Sequence, residues 1–185
     1  MSTAEVWNRL AASSGEWRVC LSANRWGARR AITRFFGLVS RLGDGVFWYA
    51  LMGALAVAGG THGVKAALHM AATGLVALTL YRRLKRWTRR PRPFRSHAGI
   101  VAHVPPLDEF SLPSGHTLHA VAFTLVALAY FPALWPILVP FSLLVAASRV
   151  VLGLHYPSDV LAASLIGTLL ASVSLWLVPG ASLFA

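Results

Sequence analysis

Three short stretches of the chain carry residue types suited to one kind of chemistry. They are Lys85 to Pro93 (K-x6-R-P), Pro113 to His116 (P-S-G-H) and Ser148 to Asp159 (S-R-x5-H-x3-D). Arg92 and Arg149 each offer a planar fork of donors for a phosphate, and Lys85 offers a mobile point charge. Ser114, Gly115 and His116 open an apolar run, and a helix starting there points unpaired N–H groups and a partial positive charge at an anion. Gly115 lets the backbone come close to such a ligand, and Ser114 can cap the helix or donate its hydroxyl. Asp159 lies four residues after His155, where its carboxylate can accept the Nδ1–H of that imidazole and leave Nε2 free as a nucleophile. Each piece has a plainer explanation alone: a serine N-cap, an aspartate at a helix start, cations flanking a membrane span. Taken together, the cradle (Lys85, Arg92, Ser114, Gly115, Arg149), the two histidines (His116, His155) and Asp159 point to phosphoryl chemistry at the edge of a bilayer.

The chain that carries these stretches is largely apolar. Of 185 residues, 56% are hydrophobic and 12% charged, with a mean hydropathy of +0.60. A soluble domain could not bury that much apolar surface, so the expected fold class is all-α, a polytopic membrane helix bundle. Five spanning helices are expected at about 44–60, 64–82, 114–131, 134–152 and 158–178, each near the ~20 residues a bilayer requires. The first is short and must tilt or thin the bilayer locally. Gly59 to Gly63 and Pro132 to Pro136 make tight connections, and small residues such as Ala162, Ala163, Gly167 and Ala171 suit close helix approach in lipid. Residues 83–113 form the long polar connection, where Pro91, Pro93, Pro105 and Pro106 preclude continuous helix. With five spans, this connection and the turn at 153–157 emerge on the same membrane face.

Two regions are expected: an amphipathic N-terminal interfacial region, 1–42, and a transmembrane core, 43–185. Phe35, Phe36, Val39 and Leu42 repeat at helical spacing with Arg30, Arg34 and Arg41 between them. Trp7, Leu10, Trp17 and Leu21 suggest a weaker amphipathic helix before it. Two placements fit both: flat in the headgroup layer, or packed against the bundle.

The formal net charge is +11, yet the cations cluster beside apolar runs, which suits lipid phosphates or topology and argues against a nucleic-acid partner. Cys20 is the only cysteine, so neither an internal disulfide nor a thiolate metal site can form. The N-terminus lacks the pattern of a cleaved signal peptide.

At all defining positions, and in order, the three stretches resemble the motifs of the type 2 phosphatidic acid phosphatase superfamily, which also includes vanadium haloperoxidases. The resemblance implies a phosphatase that uses no metal or other cofactor and works through a phosphohistidine. It implies His155 as nucleophile, oriented by Asp159, and His116 as the acid that protonates the leaving oxygen. Lys85, Arg92, Ser114, Gly115 and Arg149 would hold the phosphate. Membrane members of that family usually have six spans, three of them before the first motif; here the amphipathic N-terminal region stands in for one.

The expected partner is a lipid substrate within the membrane: a polyprenyl phosphate or diphosphate, a polyprenyl-phosphoribose phosphate, phosphatidic acid or phosphatidylglycerophosphate. An undecaprenyl-diphosphate phosphatase is the narrower alternative. A transporter or scaffold binding anionic lipid is the rival of a different class. The expected location is the bacterial cytoplasmic membrane. All the Lys and Arg residues except Lys65 fall on the motif-bearing side, which places the site on the cytosolic face, although many family members work on the outer one. Of the other histidines, His119 either orients His116 or faces the bundle, and His97 and His103 either touch a headgroup or are solvated. Asp108, Glu109 and Phe110 form a lid, shape leaving-group choice or solvate a turn.

Overall fold

Apolar runs bounded by glycine and proline set the helices, and the computed structural model describes residues 15–178. Helices α1 (Glu16–Gly27), α2 (Arg30–Arg41), α3 (Phe47–Ala58), α4 (Gly60–Thr88), α5 (Gly115–Tyr130), α6 (Trp135–Val151) and α7 (Pro157–Leu177) follow in order. The described residues contain no strand, so the protein is all-α. Trp7 and Leu10 lie outside the described residues.

Helix α5 runs through the middle, packed against α4, α6 and α7. Small residues bring α7 onto it: Ala163, Gly167 and Ala171 are buried, and a Cβ on Gly167 would stand 2.8 Å from the Leu118 carbonyl. At the end of α3, a Cβ on Gly63 would overlap the Leu55 carbonyl at 1.8 Å, so the hairpin of α3 and α4 closes only on glycine. Trp48, Met70, Phe123, Val126 and Leu138 fill the space between the helices. Two histidines in the bundle meet Tyr130: His69 Nδ1 lies 3.0 Å from its hydroxyl and His62 Nε2 3.0 Å from its carbonyl. Such pairing is what a polar group in an apolar interior requires.

Three stretches of helix, Gly60–Ser96, Pro132–Val151 and Pro157–Leu177, are long and apolar enough to cross a membrane. Helix α5 has 16 residues and α3 has 12, both short of a span by length. The neighbours of α5 enclose it, so it need not meet the hydrocarbon along its whole length. Helix α4 continues to Thr88, about two turns beyond the end expected from hydropathy. The reason is that Arg82 to Arg86 break the apolar pattern while remaining good helix formers, and cations in a last turn suit the helix dipole.

Helices α1 and α2 both pack on α6. On α2, Phe36 and Val39 are buried while Arg30, Arg34 and Arg41 stay exposed. On α1, Gly27 lies so close to Val151 that a Cβ would come within 2.8 Å of its carbonyl. Asn24 staples the long loop to the end of α6: its Nδ2 donates to the carbonyls of Val101 (2.8 Å) and Val151 (3.2 Å), and its Oδ1 accepts from Val101 N (2.9 Å). Gly153, at φ +75°, completes the crossing, since a Cβ there would lie 2.5 Å from the Val101 carbonyl and 2.7 Å from Asn24 Nδ2. That turn carries His155.

Candidate active site

Three chain segments converge at one end of the bundle. The first is the kink between α2 and α3 (Leu42–Val46), where Gly45 at φ +124° lets the chain turn sharply and swings Asp44 inward. The second is the end of α4 with the loop to α5, and the third is the turn between α6 and α7. Between them lies a cavity of about 1000 Å³ lined by Lys85, Arg92, Gly115, His116, Arg149 and His155. Six of the eight residues singled out by sequence therefore line one cavity. The cavity continues between α3 and α4, along Trp48, Met52, Leu75 and Leu78, so a charged end leads into an apolar groove.

Ser114 and Asp159 stand behind its lining, both with no exposed surface. Ser114 is the N-cap of α5, its Oγ accepting from Thr117 N at 3.5 Å and pairing with Thr117 Oγ1 at 3.0 Å. Asp159 closes the start of α7 by accepting Tyr156 N on Oδ2 at 2.8 Å. Its Oδ2 is 3.5 Å from His155 Nδ1. That is an ion-pair approach rather than the hydrogen bond expected from the i, i+4 spacing, and His155 Nδ1 has no hydrogen-bond partner among the described residues.

The tautomer of His155 follows from its other nitrogen. Arg92 Nη1 lies 3.2 Å from His155 Nε2, and a guanidinium can only donate. Nε2 must then accept from Arg92 through its lone pair, and the ring proton sits on Nδ1, facing Asp159. Arg92 is fixed by further bonds, from Nη1 to the Leu154 carbonyl (2.8 Å), from Nε to the Asp108 carbonyl (3.1 Å) and from Nη2 to Asp108 Oδ1 (2.7 Å). Arg149 lies 3% exposed, bonded through Nη1 to Ser40 Oγ, and its Nε has no partner among the described residues. Burial, then the nearby charges of Arg92 and Arg149, hold the His155 imidazole well below its usual range, so the ring stays neutral at neutral pH.

Asp108 is the cation-facing group that sequence left open between lid and solvated turn. Its carboxylate takes Lys85 Nζ on both oxygens at 2.7 Å and Arg92 on Oδ1, while Lys85 also donates to the Phe110 carbonyl at 3.0 Å. Burying cations side by side costs several kcal/mol unless an anion accompanies them. Asp108 is that anion, and a phosphate entering the cradle competes with it. The Asp108→Asn variant is therefore expected to bind inorganic phosphate several-fold more tightly, read as a lower inhibition constant for phosphate.

Asp44 is a site residue that sequence reasoning missed. Its Oδ1 is 3.4 Å from His116 Nε2, and partial burial of this half-exposed side chain raises its carboxyl above the ordinary carboxylate range, opposed by Arg149 and His119. His119 lines the same cavity, with Nδ1 at 2.9 Å from the Gly115 carbonyl and Nε2 at 3.2 Å from that of Gly74. His97 stacks on Trp17 and His103 reaches the Asn24 carbonyl at 3.1 Å, so both tie the long loop to α1. The signal that would have found Asp44 and Asp108 is scarcity. The chain has six acids against seventeen Lys and Arg, which makes the position of each acid informative.

Known proteins of similar sequence are phosphatases. The chain is 38% identical over 76 residues to phosphatidylglycerophosphatase B of Escherichia coli strain K12, covering 37% of this chain and 29% of that protein. It is 34% identical over 104 residues to the undecaprenyl-diphosphatase BcrC of Bacillus subtilis, covering 56% and 53%. Over 91 residues it is 36% identical to decaprenylphosphoryl-5-phosphoribose phosphatase of Mycobacterium tuberculosis, 49% of each chain. The chain thus spans about half the length, or less, of these curated relatives. In fold it resembles a transmembrane PAP2-type phosphatidylglycerolphosphate phosphatase from Bacillus subtilis, with a TM-score of 0.76 at 21% identity over 97% of this chain and 94% of the other. It also resembles Aquifex aeolicus LpxE, with a TM-score of 0.74 at 23% identity over 86% and 93%. The apolar helices and these relatives make it an integral membrane protein. The model of the PAP2 superfamily matches residues 51–182, and the chain belongs to that superfamily.

Proposed function

We propose that this protein is a metal-independent lipid phosphatase that removes phosphate from a phosphomonoester or diphosphate of a polyprenyl or glycerophospholipid. The observation that carries the reading is the placement of the His155 Nε2 lone pair at the cationic end of a cavity whose other end is apolar. The phosphate sits among Lys85, Arg92, Arg149 and the first N–H groups of α5, and the lipid tail lies along the groove between α3 and α4.

In the first step the Nε2 lone pair attacks phosphorus, and the bond from phosphorus to the leaving oxygen breaks. His116, which burial and then the charge of Arg149 hold well below its usual range, takes up its proton along with the bound phosphate and gives it to that oxygen, so the lipid alcohol, or the lipid monophosphate from a diphosphate, departs. His155 then carries the phosphoryl group on Nε2 and a proton on Nδ1, a positive ring that Asp159 faces. In the second step water attacks phosphorus, His116 takes its proton, and the P–N bond breaks to release phosphate. Arg92 must give up its bond to Nε2 for a phosphate oxygen as attack begins. Preorganised cations and helix-end donors supply the stabilisation of charge in transfer.

Only neutral His155 can attack. Its depressed pKa means that the neutral form persists as pH falls through ~6.5, the usual imidazole value. The acidic limb of kcat/KM is therefore expected below that pH, measured as phosphate release across a pH series.

The direct test is phosphate release by purified protein in detergent, with excess chelator present. The panel contains phosphatidic acid, phosphatidylglycerophosphate, farnesyl phosphate and farnesyl diphosphate. Release from at least one lipid supports the reading. No release from any, with anionic lipid still bound, would favour the transporter or scaffold. The proposed orientation places the site in the cytosol. Cys20 is buried, so it gives little background for thiol labelling. An impermeant maleimide applied to intact cells should label Thr61→Cys, at the far end, and spare Ala98→Cys, in the site loop. The reverse pattern overturns the orientation.

A further inference from the structure

The charge network behind Asp159 is used by none of the steps above. Asp159 has no exposed surface, and Arg90 is 4% exposed. Arg90 Nη1 donates to Asp159 Oδ1 at 2.7 Å and to Ser158 Oγ at 2.7 Å, and its Nη2 binds Glu16 Oε1. The other oxygen of Glu16 accepts Ser158 Oγ at 2.5 Å and Ser158 N at 3.4 Å. The guanidinium also lies 4.2 Å over the Tyr156 ring. Glu16 belongs to the first turn of α1, Arg90 to the chain just after α4, and Ser158 and Asp159 to the start of α7. Charges therefore alternate from α1 toward the neutral imidazole of His155: Glu16, Arg90, Asp159.

We propose that Arg90, gripped by Glu16, is the positioning residue that fixes the Asp159 carboxylate against His155, which makes α1 part of the catalytic apparatus. The proposal rests on the reading of Asp159 as the partner of His155 in phosphoryl transfer. A buried carboxylate without a cation beside it gives up its charge or moves to find one. Arg90 occupies Oδ1 and leaves Oδ2 on the His155 side, held there by Tyr156 N. Glu16 occupies the far edge of the fork, so the guanidinium cannot turn toward the phosphate cradle and compete with Arg92. When the imidazole becomes positive in the phosphoenzyme, a carboxylate already ionised and aimed at Nδ1 stabilises it without rearrangement. Arg90 is not among the residues that line the cavity, and its bond to Asp159 Oδ1 is the link by which it would act on His155.

That link gives a double-mutant test. With dioctanoyl phosphatidic acid or farnesyl diphosphate, whichever is turned over faster, kcat and KM are measured for Arg90→Gln, Asp159→Asn and the pair. Arg90→Gln is expected to lower kcat about 30–100-fold with KM within about threefold, and to cost nothing further once Asp159 is Asn. Arg90→Lys should recover part of the loss. Independent, multiplying effects overturn the proposal, as does a normal kcat in Arg90→Gln while Asp159→Asn is impaired. A normal kcat in Asp159→Asn itself would instead sink the role given to Asp159. If Arg90→Gln does not purify folded, Glu16→Gln decides. A fall of about 3–10-fold in kcat, absent on the Asp159→Asn background, supports the clamp, and an unchanged kcat overturns it.

Discussion

Replacement of His155 by alanine is expected to lower phosphate release by at least ~10³-fold while the protein remains folded in detergent. The loss is large because no other group in the cavity offers a lone pair in the same place. His116 presents Nε2 to Asp44 at 3.4 Å, and Lys85 is engaged by Asp108 through both oxygens. Folding should persist because the turn is held by its backbone. The N–H groups of Leu154 and His155 both donate to the Arg149 carbonyl, at 3.0 and 3.1 Å, and an alanine leaves them intact. The smaller side chain frees Arg92 Nη1 of one contact, so lipid phosphate should bind as well or better, with KM unchanged or lower. Release within about tenfold of the wild-type rate would remove His155 from the chemistry.

Arg92→Lys is the second large effect. It keeps the charge and changes the geometry. The guanidinium of Arg92 serves Leu154, His155 and both the backbone and side chain of Asp108 at once, in directions set by one plane. A lysine ammonium has a single nitrogen, so it cannot hold the Asp108 loop and meet a phosphate oxygen beside Nε2 together. The expected result is a fall of about 10²–10³-fold in kcat with a smaller change in KM, measured on the same lipid. A lysine variant within about threefold of wild type would mean that charge alone suffices there and that the fork has no directional role.

These two effects concern residues that sequence placed at the site without a structure. The three stretches were legible because each is local: a K-x6-R-P spacing, a serine and glycine before an apolar run, and a histidine four residues before an aspartate. The bundle was legible for a similar reason, since apolar runs near the length of a bilayer read directly as helices. What sequence could not supply was pairing across the chain. Asp44 meets His116 because Gly45 turns the chain at φ +124°, and nothing near residue 116 announces that. Glu16, Arg90 and Asp159 are separated by about 70 residues at each step and meet only when α1 docks on α6 and α7. Arg90 sat in a basic block where every member resembled a flanking cation. The distinction lies in burial: Arg90 is 4% exposed, while Arg82, Arg83 and Arg86 remain exposed. Local geometry also departed from spacing at Asp159, where the i, i+4 relation to His155 brought the groups only to 3.5 Å while the same oxygen caps Tyr156 N at 2.8 Å.

The most direct measurement is capture of the covalent intermediate. Protein mixed briefly with a lipid carrying radiolabelled phosphate, quenched in alkali and digested, should yield label on the peptide containing His155, bonded at Nε2, stable to base and lost in acid. The label should be missing from His155→Ala and should accumulate when hydrolysis of the intermediate is slowed. Label that persists in His155→Ala, or that maps to another side chain in a protein that turns over normally, would contradict the account.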